Sequence, residues 1–231
     1  MSKKLQAFQK KIGITFNDVG LLNEALTHRS YPNENAGWPY RNNERLEFLG
    51  DAVLELATTN FLFDRFSGKE EGDLTIYRAA LVNTKSLSEV AKDIGLDKEI
   101  FMSKGEAQGF SGRAKETISA DAMEALIGAI FLDQGYESAR DFIRKFVLIR
   151  IKEVQAQGGK DPKSLVQELS QSKYKITPTY KVLSETGPAH KRSFIVGLYF
   201  NGSLKAKGTG KSKQEAETDA AQTFLDANGN S

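Results

Sequence analysis

The segment Asn43–Leu54, NERLEFLGDAVL, constrains the chain most, because it aligns three acids on an otherwise apolar helix. At about 100° per residue, Glu44, Glu47 and Asp51 fall within an arc of about 60°, and Leu46, Leu49 and Val53 take the opposite side. Leu54, Phe61 and Phe63 fill much of the remainder. A helix apolar nearly all round is expected to be buried. Acids aligned on such a helix repel one another and lose hydration, so a cation is expected beside them. A second pair stands in ISADAMEALIGAIFLD, residues 118–133, where Asp121 and Glu124 share a face and Gly128 falls close to it. If the two helices pack by these faces, Glu47, Asp51, Asp121 and Glu124 converge. Oxygen-only ligands favour Mg²⁺ or Mn²⁺ over zinc. The matching chemistry is phosphodiester hydrolysis by metal-activated water. The alternative is that these acids are solvated, or paired with Arg45 or Arg78.

The rest of the first 155 residues also reads as helix. Apolar residues recur at helical spacing over Leu21–Leu26, Leu46–Phe66, Leu74–Ile94, Ile118–Leu132 and Phe142–Val154. Tyr31–Asn42, rich in Pro, Asn and Gly, reads as a loop, and so does the glycine-rich Lys104–Arg113. Gln155–Pro162, QAQGGKDP, reads as a linker. The domains expected are therefore 1–155 and 163–231, joined by residues 156–162.

Beyond the linker the periodicity changes. Lys163–Gln171 is expected as a short amphipathic helix, and Thr179–Ser184, Phe194–Phe200 and Ser203–Lys207 as strands. Asn201-Gly202 is a two-residue hairpin turn, since both residues tolerate positive φ. Lys213–Leu225 is expected as a closing helix. The fold class is an all-α N-terminal domain followed by a small α+β domain of order α-β-β-β-α. Gly208-Thr-Gly-Lys-Ser212 is not a nucleotide-binding loop, because Lys205 stands where the full pattern needs glycine.

Charge separates the two parts. From Lys160 onward there are 11 basic and 7 acidic residues, against 21 and 23 in the rest, so a net +2 divides into +4 and −2. A basic tail suits a polyanionic partner. The absence of cysteine removes disulfides and thiolate chemistry and fits a reducing compartment. With two histidines far apart, His28 and His190, no paired-histidine metal motif exists. No stretch approaches the roughly 18 apolar residues of a spanning helix, and no signal peptide is read at the N-terminus. A cytoplasmic protein without membrane partners is expected.

At these residues the chain resembles the ribonuclease III family. NERLEFLGD (Asn43–Asp51) looks like that family's signature, and the resemblance continues in LTHRS (Leu26–Ser30), EGDL and RAALV (Glu71–Val82) and ADAMEALIGAIFLD (Ala120–Asp133). It implies a double-strand-specific endoribonuclease with a ribonuclease III catalytic domain and a C-terminal double-stranded-RNA-binding domain. It implies Mg²⁺, with Mn²⁺ able to substitute, on Glu47, Asp51, Asp121 and Glu124. It implies products with 5′-phosphates and short 3′ overhangs, and roles such as rRNA precursor maturation. Glu44 and Glu71 match acids facing the substrate. The family is homodimeric, and Phe48 matches a residue inserted into the partner, although helical spacing alone makes it a core aromatic. In the tail, Gln167, Glu168, His190, Lys211, Ser212 and Lys213 match RNA-contacting positions, with Glu217 standing where a third basic residue is common. His28 is expected as a packed or capping residue, and Trp38 and Tyr40 as either RNA-facing or packed. Readings from other classes are a duplex-RNA-binding protein without catalysis, and a small-nucleotide phosphohydrolase.

Overall fold

Apolar spacing produces helices through the first unit of the chain, Met1–Ala156. A computed structural model describes residues 3–156, 159, 162–188 and 192–228. The helices are α1 (Lys3–Ile12), α2 (Val19–Ala25), α3 (Tyr31–Glu34), α4 (Glu44–Arg65), α5 (Glu71–Val82), α6 (Thr84–Ile94), α7 (Lys104–Gly109), α8 (Gly112–Phe146) and α9 (Ile151–Ala156). Leu54, Leu62, Met123, Leu126, Ile127 and Ile130 are fully buried between α4 and its neighbours, with α8 running alongside α4 as its principal contact.

Several boundaries differ from expectation. The periodic stretch from Leu74 to Ile94 is two helices. Asn83 is extended (φ −68, ψ 160), and its side-chain oxygen accepts the Ser86 N–H at 2.9 Å, starting α6 as α5 ends. A helix cap can interrupt apolar spacing without a glycine or proline to mark it. α8 spans both the expected stretch Ile118–Leu132 and the start of Phe142–Val154, with a break between them at Gly135, whose φ of 82 and ψ of 179 only glycine adopts readily. Both expected loops contain a short helix, α3 and α7. α1 was not expected. Its Leu5, Phe8 and Ile12 are buried, but they are scattered among lysines and form no run.

The expectation that α4 is buried all round fails in the single chain. Leu46, Val53, Leu54, Ala57 and Leu62 are buried, yet Phe48 is 83% exposed, Phe63 69% and Leu56 59%. Phe48 is therefore not a core aromatic of its own chain.

The second unit is Gln157–Ser231. It holds α10 (Pro162–Leu169), a π turn at Ser170–Tyr174, β1 (Thr179–Thr186), β2 (Ser193–Phe200), β3 (Ser203–Gly210) and α11 (Lys213–Asn228). The three strands form an antiparallel sheet in the order β1-β2-β3. Asn201 (φ 45) and Gly202 (φ 78) make the expected hairpin turn. Val166, Leu198, Phe200, Ala220, Ala221 and Phe224 close a core between the sheet and the helices. The glycines of GTGKS serve packing. A Cβ at Gly208 would overlap the α11 backbone at Ala216 and Ala220, so only glycine lets β3 lie this close. Of the expected linker, residues 157, 158, 160 and 161 lie outside those described, as does His190.

Candidate active site

Two glycines bring the acids together. A Cβ on Gly50 would overlap the Glu124 carbonyl oxygen, and one on Gly128 would overlap that of Leu46. α4 and α8 therefore cross backbone to backbone at Gly50 and Gly128. Glu47 and Asp51 flank the crossing on α4, and Asp121 and Glu124 on α8. The crossing accounts for Gly128, anticipated from its face, and for Gly50, which was not anticipated although its place between two acids marks it.

The electrostatics show the convergence. Burial, and then the charges of Asp51, Glu47, Asp121 and Glu55, push the Glu124 carboxyl up to about 8. Burial, followed by Asp121, Glu44 and Asp51, raises Glu47. Burial raises Asp121, while Arg29 opposes it. Glu47, Asp121 and Glu124 are half-buried and Asp51 is exposed, so the cluster faces outward from the crossing.

Neither expected arginine neutralises it. Arg78 pairs instead with Glu55, at 2.9 Å. Arg29 stands 3.9 Å from Glu44. Among the described residues, no lysine or arginine lies within 4.0 Å of Glu47, Asp51, Asp121 or Glu124. Nor does any group of three or more histidine or acidic side chains there stand close enough to hold a metal ion as placed. Like charges with nothing positive between them are expected to stand apart. An all-oxygen donor set that is mutually repelling and holds no ion pair among the described residues fits a hard divalent cation.

A cleft of about 570 Å³ opens beside the cluster. Glu44, Glu47 and Asp121 line it, together with His28, Arg29 and Arg113. Asp51 and Glu124 flank the crossing outside that lining. Arg113, Thr117 and Asp121 recur every four residues and share one face of α8. That spacing marks Arg113 in the sequence, although it was not among the expected site residues. His28 and Arg29 reach the cleft from the turn after α2, which no local pattern reveals. His28 Nδ1 lies 2.8 Å from Ser30 Oγ and accepts the Ser30 N–H, so it caps that turn as expected while also lining the cleft. Burial lowers its pKa. Glu71 does not line the cleft. It begins α5, exposed, and accepts a hydrogen bond from Thr75 Oγ1 at 2.9 Å. Trp38 packs on Tyr31, Tyr40 and Phe101 and donates to Thr27 Oγ1 at 3.1 Å, so this loop is held by aromatic packing.

In the second unit, Gln167 and Glu168 are exposed on α10, and Lys211, Ser212 and Lys213 are exposed where α11 begins. Ser212 Oγ accepts the Glu215 N–H at 3.1 Å, while Glu215 Oε2 accepts the Lys211 N–H at 2.7 Å. Ser212 is thus the cap of α11. Glu217 has a structural role of its own, pairing with Lys163 of α10 at 2.6 Å.

Fold and site define a cluster of carboxylates on a helical unit, in a chain that also carries a small α+β unit of order α-β-β-β-α. Residues 18–151 match the Ribonuclease-III-like family, and residues 162–227 the double-stranded RNA binding motif. A "Ribonuclease 3" of Bacillus cereus is 44% identical over 220 residues, 95% of this chain and 89% of that protein. One of Bacillus anthracis is 44% identical over 218 residues, 94% and 89% of the two chains. The solved nuclease domain of a Campylobacter jejuni ribonuclease III superposes with a TM-score of 0.57 at 41% identity, covering 63% of this chain and 95% of that one. The chain belongs to the ribonuclease III family of double-strand-specific endoribonucleases. Among the described residues no helix is long and apolar enough to cross a membrane.

Proposed function

We propose that the chain hydrolyses phosphodiester bonds of duplex RNA at the carboxylate cluster, with Glu47, Asp51, Asp121 and Glu124 holding divalent metal. The observation that carries this reading is the glycine-to-glycine crossing, which gathers four acids around one point with no lysine or arginine within 4.0 Å of them among the described residues. When bound, Mg²⁺ or Mn²⁺ supplies positive charge at the scissile phosphate and acidifies an attacking water. The chain's own residues do the rest. Glu124, raised to about 8, holds its proton near neutrality and would give it up on serving as a metal ligand. Arg29 and Arg113, lining the cleft, are read as phosphate-facing cations. Glu44, in the same lining, and Glu71, at the start of α5, are read as RNA-facing acids.

The second unit grips A-form RNA by shape. Gln167 and Glu168 meet a minor groove, and Lys211, Ser212 and Lys213 present the positive end of α11 to phosphates. Residues 1–155 form the catalytic domain and 163–231 the RNA-binding domain, joined by 156–162. The exposed stripe of Phe48, Leu56 and Phe63 supports a homodimer in which Phe48 enters the partner. Two centres, one per strand, then leave 5′-phosphates and short 3′ overhangs. Processing of structured transcripts in the cytoplasm, rRNA precursors among them, follows.

The test is incubation of a long duplex RNA with and without Mg²⁺, read on a sizing gel. The wild-type chain cuts only with the ion. Glu124→Gln cuts at least about 100-fold more slowly, since losing a ligand costs no less than losing an outer partner of a metal site, and still binds the duplex. Normal cutting by this variant refutes the assignment.

A further inference from the structure

The acid stripe of α4 does not end at Asp51. Glu55, one turn further on, falls on the same face, so the stripe runs Glu44, Glu47, Asp51, Glu55. Its two ends are paired and its middle is not. Arg29 approaches Glu44 at one end, at 3.9 Å. At the other, Arg78 of α5 binds Glu55 with Nε to Oε2 at 2.9 Å, and its Nη1 donates to Thr59 Oγ1 at 2.9 Å.

This arrangement has a physical tension. A guanidinium is a permanently charged fork suited to carboxylates, and Asp51, with no lysine or arginine within 4.0 Å among the described residues, stands one turn before Glu55 on the same helix face. Residues one turn apart on a helix stand about 5–6 Å apart at Cβ. A swing of one turn would carry Arg78 from Glu55 to Asp51. In that position it would neutralise the cluster and occupy the place of a divalent ion. Two contacts prevent the swing. Glu55 supplies a carboxylate at the near end, and Thr59, a further turn away, draws the fork in the opposite direction. The charge of Glu55 is nonetheless felt at Glu124, so the tether adds negative potential to the cluster while keeping the competing cation away.

We propose that Glu55 is a positioning residue that holds Arg78 off the carboxylate cluster and so keeps the cluster open to a divalent ion. The proposal rests on the metal reading above. It assigns Glu55 to neither catalysis nor metal ligation.

The test is Mn²⁺ binding to the full chain, measured by the electron paramagnetic resonance signal of free Mn²⁺. Wild type, Glu55→Gln, Arg78→Gln and the double variant are compared, with thermal melts of each metal-free protein. Glu55→Gln weakens Mn²⁺ binding about tenfold or more, the range for losing a group that orients a metal site. Arg78→Gln alone stays within about twofold, and the double variant returns to about wild-type affinity, because no arginine remains to intrude. The metal-free Glu55→Gln protein melts at or above wild type, since Arg78 now pairs with the cluster. Unchanged Mn²⁺ affinity in Glu55→Gln overturns the proposal. So does additivity, in which Arg78→Gln tightens binding by the factor that Glu55→Gln loosens it, because through-space charge then explains everything. A lowered melt with weakened binding in all three variants marks a purely structural clamp and overturns it too. If the wild-type chain binds no Mn²⁺, the metal reading fails first and the tether falls with it.

Discussion

At the residue scale Glu124 stands out, because its environment penalises the very charge that its proposed role needs. Its carboxyl titrates at about 8, against 4.5 for a free glutamate, owing to burial first and neighbouring acids second. Between those two values the folded chain holds a proton that the unfolded chain has released. The part of the metal-free protein's stability that depends on Glu124 is therefore fully present below pH about 4.5 and is lost as pH rises toward 8. Glu47 and Asp121, also raised, act in the same direction. Glu124→Gln removes the penalty. The carboxyl is partly exposed, so the gain at pH 8 is discounted to about 1 kcal/mol, or about 2–4 °C in Tm. Thermal melts of both metal-free proteins at pH 5 and pH 8 check this; a variant that melts no higher at pH 8 sinks it. The acids themselves were legible from the sequence, because period and spacing are local properties. The cleft's His28 and Arg29 were not, since they arrive from a turn before the acid helix and only tertiary packing brings them there.

At the scale of elements, the α4–α8 crossing decides whether a site exists at all. Gly50→Ala sets a methyl group into the backbone of α8, which has no flexible side-chain end to yield. Overpacking of this kind costs about 1–3 kcal/mol or more, and here it also spreads Glu47 and Asp51 from Asp121 and Glu124. The expected outcome is a lower Tm, near-complete loss of cleavage, and retained duplex binding through the second unit. A Gly50→Ala chain that cuts at the wild-type rate shows that the close approach is dispensable. In the second unit, Ser212→Ala removes the α11 cap and costs about 1 kcal/mol, measurable by urea unfolding. The same change leaves Lys211 and Lys213 in place, separating helix stability from phosphate grip. Helix identity was legible from periodicity, whereas ends set by single side chains were not. Asn83 breaks a periodic stretch with one hydrogen bond, and α1 buries three apolar residues set among lysines. The sheet was easier to read, because Asn201-Gly202 marks its turn between the apolar run Phe194–Phe200 and the strand that follows.

At the scale of the whole molecule, the two units keep separate cores and opposite charges. The buried cluster of the first unit ends at Ile151, and those of the second begin at Val166. The exposed Phe48, Leu56 and Phe63 recur along one side of α4, an apolar face that supports the proposed homodimer. Phe48→Glu places a charge in that face, and sedimentation at micromolar concentration is expected to show a monomer where the wild-type chain shows a dimer. The charge division makes a different prediction. Duplex binding by basic residues releases counterions, so affinity falls with salt in proportion to the phosphates neutralised. The first unit is acidic overall and the second carries the excess of four positive charges, so most of the salt dependence belongs to the second. Lys211→Gln with Lys213→Gln removes the two lysines flanking the α11 cap while leaving the Ser212–Glu215 bond that starts the helix. In filter binding across 50–200 mM salt, the slope of log affinity against log salt should shrink by about 1 for each phosphate that is no longer neutralised, with no change in preference among duplex sequences. A preserved slope would mean that these lysines do not face phosphates. A changed sequence preference would mean that they read bases, which the narrow major groove of A-form RNA forbids.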